Sequence, residues 1–173
     1  TILGTMIAFA IGRYKFKGRS GSNLLIFLPM ATPEIVLGAS LLSLFLVFKI
    51  NPGFWPTVFA HVTFCISFVV VTVKARIASL DPRLEQAAMD LYANEFETFR
   101  RVTLPLVAPG IAGAALLAFS LSFDDFIITN FNSGTLITFP KFVYISAARG
   151  IPAQANVIGS AMFFLALAIV IAS

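Results

Sequence analysis

The chain has a single cysteine, a single histidine and a single tryptophan among its 173 residues. A lone Cys65 excludes a disulfide framework and any CxxC metal knuckle. His61 stands four residues before Cys65 on what reads as one helix face, but two ligands without a third or fourth do not make a metal site. Packing between helices through small polar groups is the expected role of both. Gly-x-x-x-x-Gly-Lys-Ser/Thr does not occur in the sequence, so the chain brings no phosphate loop and is not expected to hydrolyse ATP. Neither a nucleophile–base pair nor a cofactor loop is evident, which leaves an enzyme without support. Charge is scarce as well. Asp, Glu, Lys and Arg together make up 12% of the chain, about half of the roughly 25% usual in soluble domains.

Apolar residues fill the space, at 58% with 19 phenylalanines. This composition predicts an all-α, polytopic membrane bundle rather than a soluble domain. About five apolar segments follow one another. Thr1 to Gly12 is a stub shorter than the roughly 20 residues a span needs. The others run from Leu24 to Phe48, Phe54 to about Val73, Leu106 to Phe123, and from Asn156 onward. Pro29 and Pro33 interrupt the second, predicting a kink or an unwound turn. Residues 1–173 read as one membrane domain without internal repeats. Both ends lie in apolar sequence, so a longer parent protein is expected.

The net charge of +4 raises the question of nucleic acid, but its distribution answers for a membrane. Arg13, Lys15, Lys17 and Arg19 form one cluster, and Lys74, Arg76, Arg83, Arg100 and Arg101 a second. Both fall in loops that alternate with Lys49, Lys141 and Arg149 across the spans. By the positive-inside rule the two clusters face the cytosol.

The second basic region carries the longest polar stretch, about residues 80–104, with five of the eight acidic residues. Asp81 reads as a helix N-cap with Pro82 at the first helical position. Leu84, Ala87, Ala88 and Leu91 then share a face at helical spacing. Asn94 with Glu97 three residues on predicts a capping box opening a second helix. Pro105 marks the next boundary. Two short helices folded over Tyr92–Ala93 are expected.

Gln86-Ala87-Ala88, Tyr92 and Val102-Thr103-Leu104-Pro105 resemble the EAA loop of ABC importer permeases, a cytosolic helix–turn–helix that docks on the ATP-hydrolysing subunit. The resemblance implies an ATPase-coupling role for Glu85, Gln86, Ala87, Ala88, Asp90, Leu91, Tyr92, Leu104 and Pro105. Gln86 replaces the family's glutamate, with Glu85 beside it. Tyr92 replaces the turn glycine. A left-handed conformation is costly for Tyr, so the expectation is that Asn94 carries it or that the turn stays right-handed.

Acidic residues within the spans are the other candidates. Glu34 lies about ten residues into its span, or roughly 15 Å at helical rise. It reads either as a pathway carboxylate or as the start of a helix renewed after Pro33. Asp124 and Asp125 end an apolar helix. They are either a stop signal or a cation route on which only one of the two faces the axis. Trp55 reads as an interfacial belt residue, with a cation-binding face as the sharper option. Asn130, Asn132, Ser133 and Gly134 read as turn formers. Lys141 to Arg149, bearing Tyr144, reads as an amphipathic surface piece. Gly110, Ala114, Ala118 and Ser122 form a small-residue stripe for close helix approach.

Beyond the loop, the runs Pro33-Glu34-Ile35-Val36, His61-Val62-Thr63-Phe64-Cys65, Phe119-Ser120-Leu121-Ser122-Phe123-Asp124-Asp125 and Val170-Ile171-Ala172-Ser173 resemble the PotC-type permeases of spermidine/putrescine importers. That resemblance implies the type I ABC permease fold in a bacterial inner membrane. It implies a polyamine pathway past Glu34, Trp55, Asp124, Asp125 and Tyr144. Two ATPase subunits carrying ATP and Mg, a second related permease and an extracytoplasmic substrate-binding protein are the implied partners. No cofactor or metal is implied on this chain. Importers of ferric iron, thiamine or phosphonate would share the hairpin without needing the acidic residues. A channel would conduct without ATP, and a structural scaffold would tolerate neutralised acids.

Overall fold

A computed structural model describes residues 1–14, 16–147, 150 and 153–172. Lys15, Arg149 and Ser173, named above, lie outside the described residues. All regular secondary structure among the described residues is helical, without a strand. The helices are α1 (Ile2–Arg13), α2 (Arg19–Ala31), α3 (Glu34–Val47), α4 (Phe54–Ala78), α5 (Arg83–Asp90), α6 (Glu95–Thr98), α7 (Leu104–Asp124), α8 (Ile127–Asn132), α9 (Phe139–Ala147) and α10 (Ala153–Ala172). A π-helical turn, Phe99–Thr103, joins α6 to α7.

Two helical runs are long and apolar enough to cross a membrane by themselves, Phe54–Ala78 and Glu95–Asp124. The segment expected as a single kinked span is instead α2 and α3, bent by 108° at their junction. The cause is local. Pro33 has no N–H, and Thr32 before it adopts the extended conformation that a following proline enforces. Thr32 also turns its hydroxyl back onto the Leu28 carbonyl (2.7 Å). The stub α1 and Ala153–Leu165 of α10 are shorter apolar pieces. The expected five spans thus become two full ones, one broken pair and two shorter helices.

Pro105 marks a boundary, standing in the first turn of α7, but the helical run is not interrupted there. Leu104 N–H reaches back five residues to the Phe99 carbonyl. This π turn takes up the register change just before a residue that cannot donate, and the helix continues to Asp124. Asn130 and Asn132 are likewise helical rather than turn residues, lying in α8. Asn132 is fully buried there and donates to the Gly38 carbonyl of α3 (3.3 Å). Of that group, Gly134 makes the turn, at φ +57°.

Helix α4 is the axis of the bundle. Its Ala60, Phe64, Val69, Val70, Val73 and Ile77 meet Ala8 of α1, Val107, Ala114 and Ala118 of α7, and Ile128 of α8. Lipid is as apolar as these side chains, so close packing rather than water exclusion must hold them together. The small-residue stripe of α7 provides it. Ala114 and Ala118 are buried, and Gly110 lies under Arg76. Arg76 crosses it and donates from Nε to the Leu106 carbonyl (3.0 Å).

A Cβ at position 110 would sit 2.6 Å from Arg76 Cγ and 2.7 Å from its Cβ, too near the backbone to swing away. Gly110→Ala should therefore destabilise the bundle by about 1–3 kcal/mol through overpacking. Nothing lies within 4 Å of a Cβ at Gly113. Gly113→Ala on the same helix should be neutral or stabilising, by up to about 1 kcal/mol. Thermal unfolding of both variants in detergent checks the contrast; equal midpoints would show that the close approach is not required.

Candidate functional site

Two polar features stand out from this framework: the 81–103 hairpin and a cluster where α4, α7 and α8 converge. The hairpin forms as its residues dictate. Asp81 Oδ1 accepts from Arg83 N–H (2.9 Å), capping α5. Asn94 Oδ1 accepts from Glu97 N–H (2.8 Å) while Glu97 Oε2 accepts from Asn94 N–H (3.3 Å), the expected capping box.

Between the arms, Ala93 N–H reaches the Ala88 carbonyl (3.2 Å) and Tyr92 N–H the Met89 carbonyl (3.0 Å). These paired bonds are a Schellman ending, which requires a left-handed residue at the position after the C-cap. That residue is Tyr92 itself, at φ +63°. The expectation of a right-handed turn or a left-handed Asn94 is therefore corrected. Asn94 has φ −76° and is committed to capping α6. A left-handed Tyr costs about 1–2 kcal/mol, yet its side chain is 98% exposed and packs on nothing within the chain. Leu91 (82%) and Phe96 (69%) are exposed beside it, as are Leu84 and Met89. Gln86, Ala87 and Asp90 also face outward.

Glu85 does not. Its Oε2 is paired with the Arg13 guanidinium, and its Oε1 accepts from the Thr103 hydroxyl. Burial alone would raise its carboxyl pKa. The hydrogen bonds from Arg13 and Thr103 and the charge of Arg13 outweigh that and hold it below the ordinary glutamate range. Leu104 and Pro105 start α7.

At the second feature, the helix-ending pair divides. Asp125 is buried and turns back over the start of α8. Its Oδ1 accepts from Ile128 N–H (3.2 Å), and its Oδ2 from Thr129 N–H (2.8 Å) and the Thr129 hydroxyl (3.0 Å). His61 completes the cluster, with Nε2 2.8 Å from Thr129 Oγ1 and 3.4 Å from Asp125 Oδ2, and Nδ1 2.7 Å from Ser122 Oγ. With its hydroxyl proton given to Asp125, Thr129 can only accept from His61, so Nε2 carries a hydrogen. Cys65 points its thiol to the Ala118 carbonyl (3.6 Å). Both residues thus bridge helices, and no metal-binding group of three or more His, Cys, Asp or Glu occurs among the described residues. The cluster forms part of the wall of an open cavity of about 810 Å³, otherwise mainly apolar, between α1, α4, α7 and the 136–140 stretch.

Asp124 faces the other way. It is exposed and lines a separate cleft of about 440 Å³ with Phe123, Phe126, Phe139 and Tyr144. Tyr144 and Phe126 are stacked with ring centres 4.3 Å apart, and Phe123 stacks on Phe139 at 5.7 Å. Glu34 is exposed in the first turn of α3, where its charge complements the helix dipole. Trp55 is exposed, edge-on to Phe54 at 5.3 Å. Neither Glu34 nor Trp55 lines the two cavities. The structure therefore joins Asp124 to Tyr144, sets Asp125 in the bundle, and leaves Glu34 and Trp55 apart. Sequence reasoning gave no role to Arg13 beyond its charge, to Thr129 or to Phe126. The position of Thr129, four residues after Asp125, was the one available cue.

The apolar helical bundle with its exposed hairpin has helices long enough to cross a membrane, and comparison with known proteins supplies the family. The chain belongs to the family of binding-protein-dependent transport system inner membrane components, whose profile matches residues 1–173. It is 38% identical over 174 aligned positions to the spermidine/putrescine transport system permease protein PotC of Escherichia coli (strain K12), covering 100% of this chain and 66% of that protein. PotC of Haemophilus influenzae is 37% identical, with 100% and 68% covered. The putrescine transport system permease protein PotI of Escherichia coli (strain K12) is 38% identical over 168 positions, with 92% and 59% covered. The chain thus spans slightly less than two thirds of the Escherichia coli PotC sequence.

Proposed function

We propose that the chain forms part of the translocation pathway of an ATP-driven polyamine importer in a bacterial inner membrane. The observation that carries this reading is the cleft in which an exposed Asp124 stands among stacked aromatic rings. A carboxylate with ring faces suits an alkyl ammonium, through charge and cation–π attraction, and repels an anion such as phosphonate. Identity to two permeases named for spermidine and putrescine supports the same substrate class. The exposed apolar hairpin supports docking on an ATPase subunit. On this reading ATP and Mg are held by two such partners, a second permease completes the pathway, and a binding protein delivers the substrate. Closure of the ATPases moves the hairpin, a rigid handle capped at both arms, and tilts the spans between inward- and outward-open forms.

The assembled transporter in proteoliposomes, given labelled spermidine or putrescine with internal and external ATP compared, tests the reading. Asp124→Asn should raise the KM for polyamine about tenfold, the loss of roughly 1.4 kcal/mol of charge interaction. Stimulation of ATP hydrolysis by saturating binding protein should be kept. Absence of ATP-driven polyamine uptake, or an unchanged KM in Asp124→Asn, would reject it.

A further inference from the structure

Resting on that import cycle, we propose that Glu85 is a positioning residue which clasps the coupling hairpin to the end of α1, so that hairpin and α1 move as one body. One carboxylate joins three elements. Arg13 is the last residue of α1, Glu85 lies in the first arm of the hairpin, and Thr103 closes the π turn of the second. Both carboxylate oxygens are spent inside the chain, and the Glu85 side chain is only 19% exposed. Successive helix positions point about 100° apart, which turns Gln86 outward while Glu85 faces in. The acidic residue beside the Gln-Ala-Ala run is therefore directed at its own chain and not at a docking partner.

The surroundings make this contact decisive for where the hairpin sits. Cavities of about 290 and 310 Å³ flank it, and Arg13, Glu85 and Thr103 line both. Little apolar packing on either side can hold α5 against α1 in its place. The pair is charge-assisted and is joined by a third group, the Thr103 hydroxyl, and the positive charge of Arg13 also suits a helix C-terminus. One further contact ties α1 to the second arm, the edge-to-face pair Phe9–Phe99 at 5.3 Å. From α1 the link continues inward. Ala8 is buried with Val69 and Val73 of α4, and Gly12 is close to Ile77. Helix α4 carries His61 to the wall of the large cavity. A push on the hairpin is thereby delivered to the central helix of the bundle.

The test is the number of ATP molecules hydrolysed per polyamine taken up by the assembled transporter. Glu85→Gln and Arg13→Gln should each raise that ratio at least about fivefold, the lower end of ordinary coupling energies. The exchanged pair Arg13→Glu with Glu85→Arg should restore it to within about twofold of wild type. A purely structural role would lower the amount of assembled transporter and leave the ratio unchanged. Ratios unaltered in both single variants, or no restoration in an assembled double variant, would overturn the clasp. A second measurement needs neither substrate nor ATP. In membranes, Arg13→Cys with Glu85→Cys, in a background with Cys65→Ala, should be joined by a short bifunctional thiol reagent; no joining overturns the proposal. Should wild type itself fail to import polyamines, the transport reading falls while this crosslink still decides the clasp.

Discussion

Asp125→Ala should lower the unfolding free energy of the bundle by about 2–4 kcal/mol, more than any other side chain of the polar cluster. Interhelical hydrogen bonds in membranes are individually modest, near 0.6 kcal/mol on average and up to roughly 1.7. Asp125 exceeds that because it serves several donors at once. Removing it strips the acceptor from Ile128 N–H, Thr129 N–H and the Thr129 hydroxyl, all in a buried site, and leaves His61 without its carboxylate. Each stranded donor costs the desolvation it can no longer offset. Asp125→Asn keeps one oxygen but presents an NH₂ group to donors, so an intermediate loss is expected. His61→Leu removes the ring contacts to Ser122, Thr129 and Asp125, yet leaves two hydroxyls that can pair elsewhere and a carboxylate still served by α8, so its loss should be smaller, about 1 kcal/mol. Unfolding in mixed detergent micelles, followed by circular dichroism, gives the order. Asp125→Ala within about 0.5 kcal/mol of wild type would show that the cluster does not hold α7 and α8 on α4.

That cluster shows what the sequence could and could not disclose. The long apolar helices were legible from composition and apolar runs, and the hairpin from local chemistry, whereas α8 and the sharp α2–α3 break were not. Asp81, Asn94 and Glu97 act through neighbours within four residues, so their caps follow from spacing alone. The α7 stripe was legible for the same reason, since small residues four apart share a face whatever they meet. The division of labour between Asp124 and Asp125 was not legible. Their side chains diverge because α7 ends between them, and only the return of α8 beneath α4 decides which one is buried. Pairing of Glu85 with Arg13 spans 72 positions, beyond the reach of any local pattern. Tyr92 is the instructive case. The turn geometry was fixed by the helix ending, and the residue yielded to it, whereas reasoning from the preference of tyrosine gave the reverse.

A left-handed tyrosine with its ring wholly in solvent is strain kept without a benefit inside the chain, and such strain tends to mark a functional contact. The proposed contact is the ATPase subunit, and Leu91 gives the sharpest test of it. Leu91→Asp should abolish ATP-driven uptake and weaken binding of the ATPase subunit at least about a hundredfold. The magnitude follows from burial. Placing a largely exposed leucine in an apolar groove stabilises docking by about 1.5–3 kcal/mol, and Asp forfeits that while adding a desolvation cost of a few kcal/mol. Even about 3 kcal/mol in total is two orders of magnitude in affinity. The hairpin itself should be untouched, because the Leu91 side chain is 82% exposed and the turn is held by main-chain bonds at Ala88 and Met89. Titration of the isolated ATPase subunit onto the permease complex, beside unfolding of the variant, separates docking from stability. Leu91→Met, which keeps apolar volume, should bind within about threefold of wild type. Wild-type uptake in Leu91→Asp would place the energy-supplying partner on some other surface and remove the reason for the exposed ring.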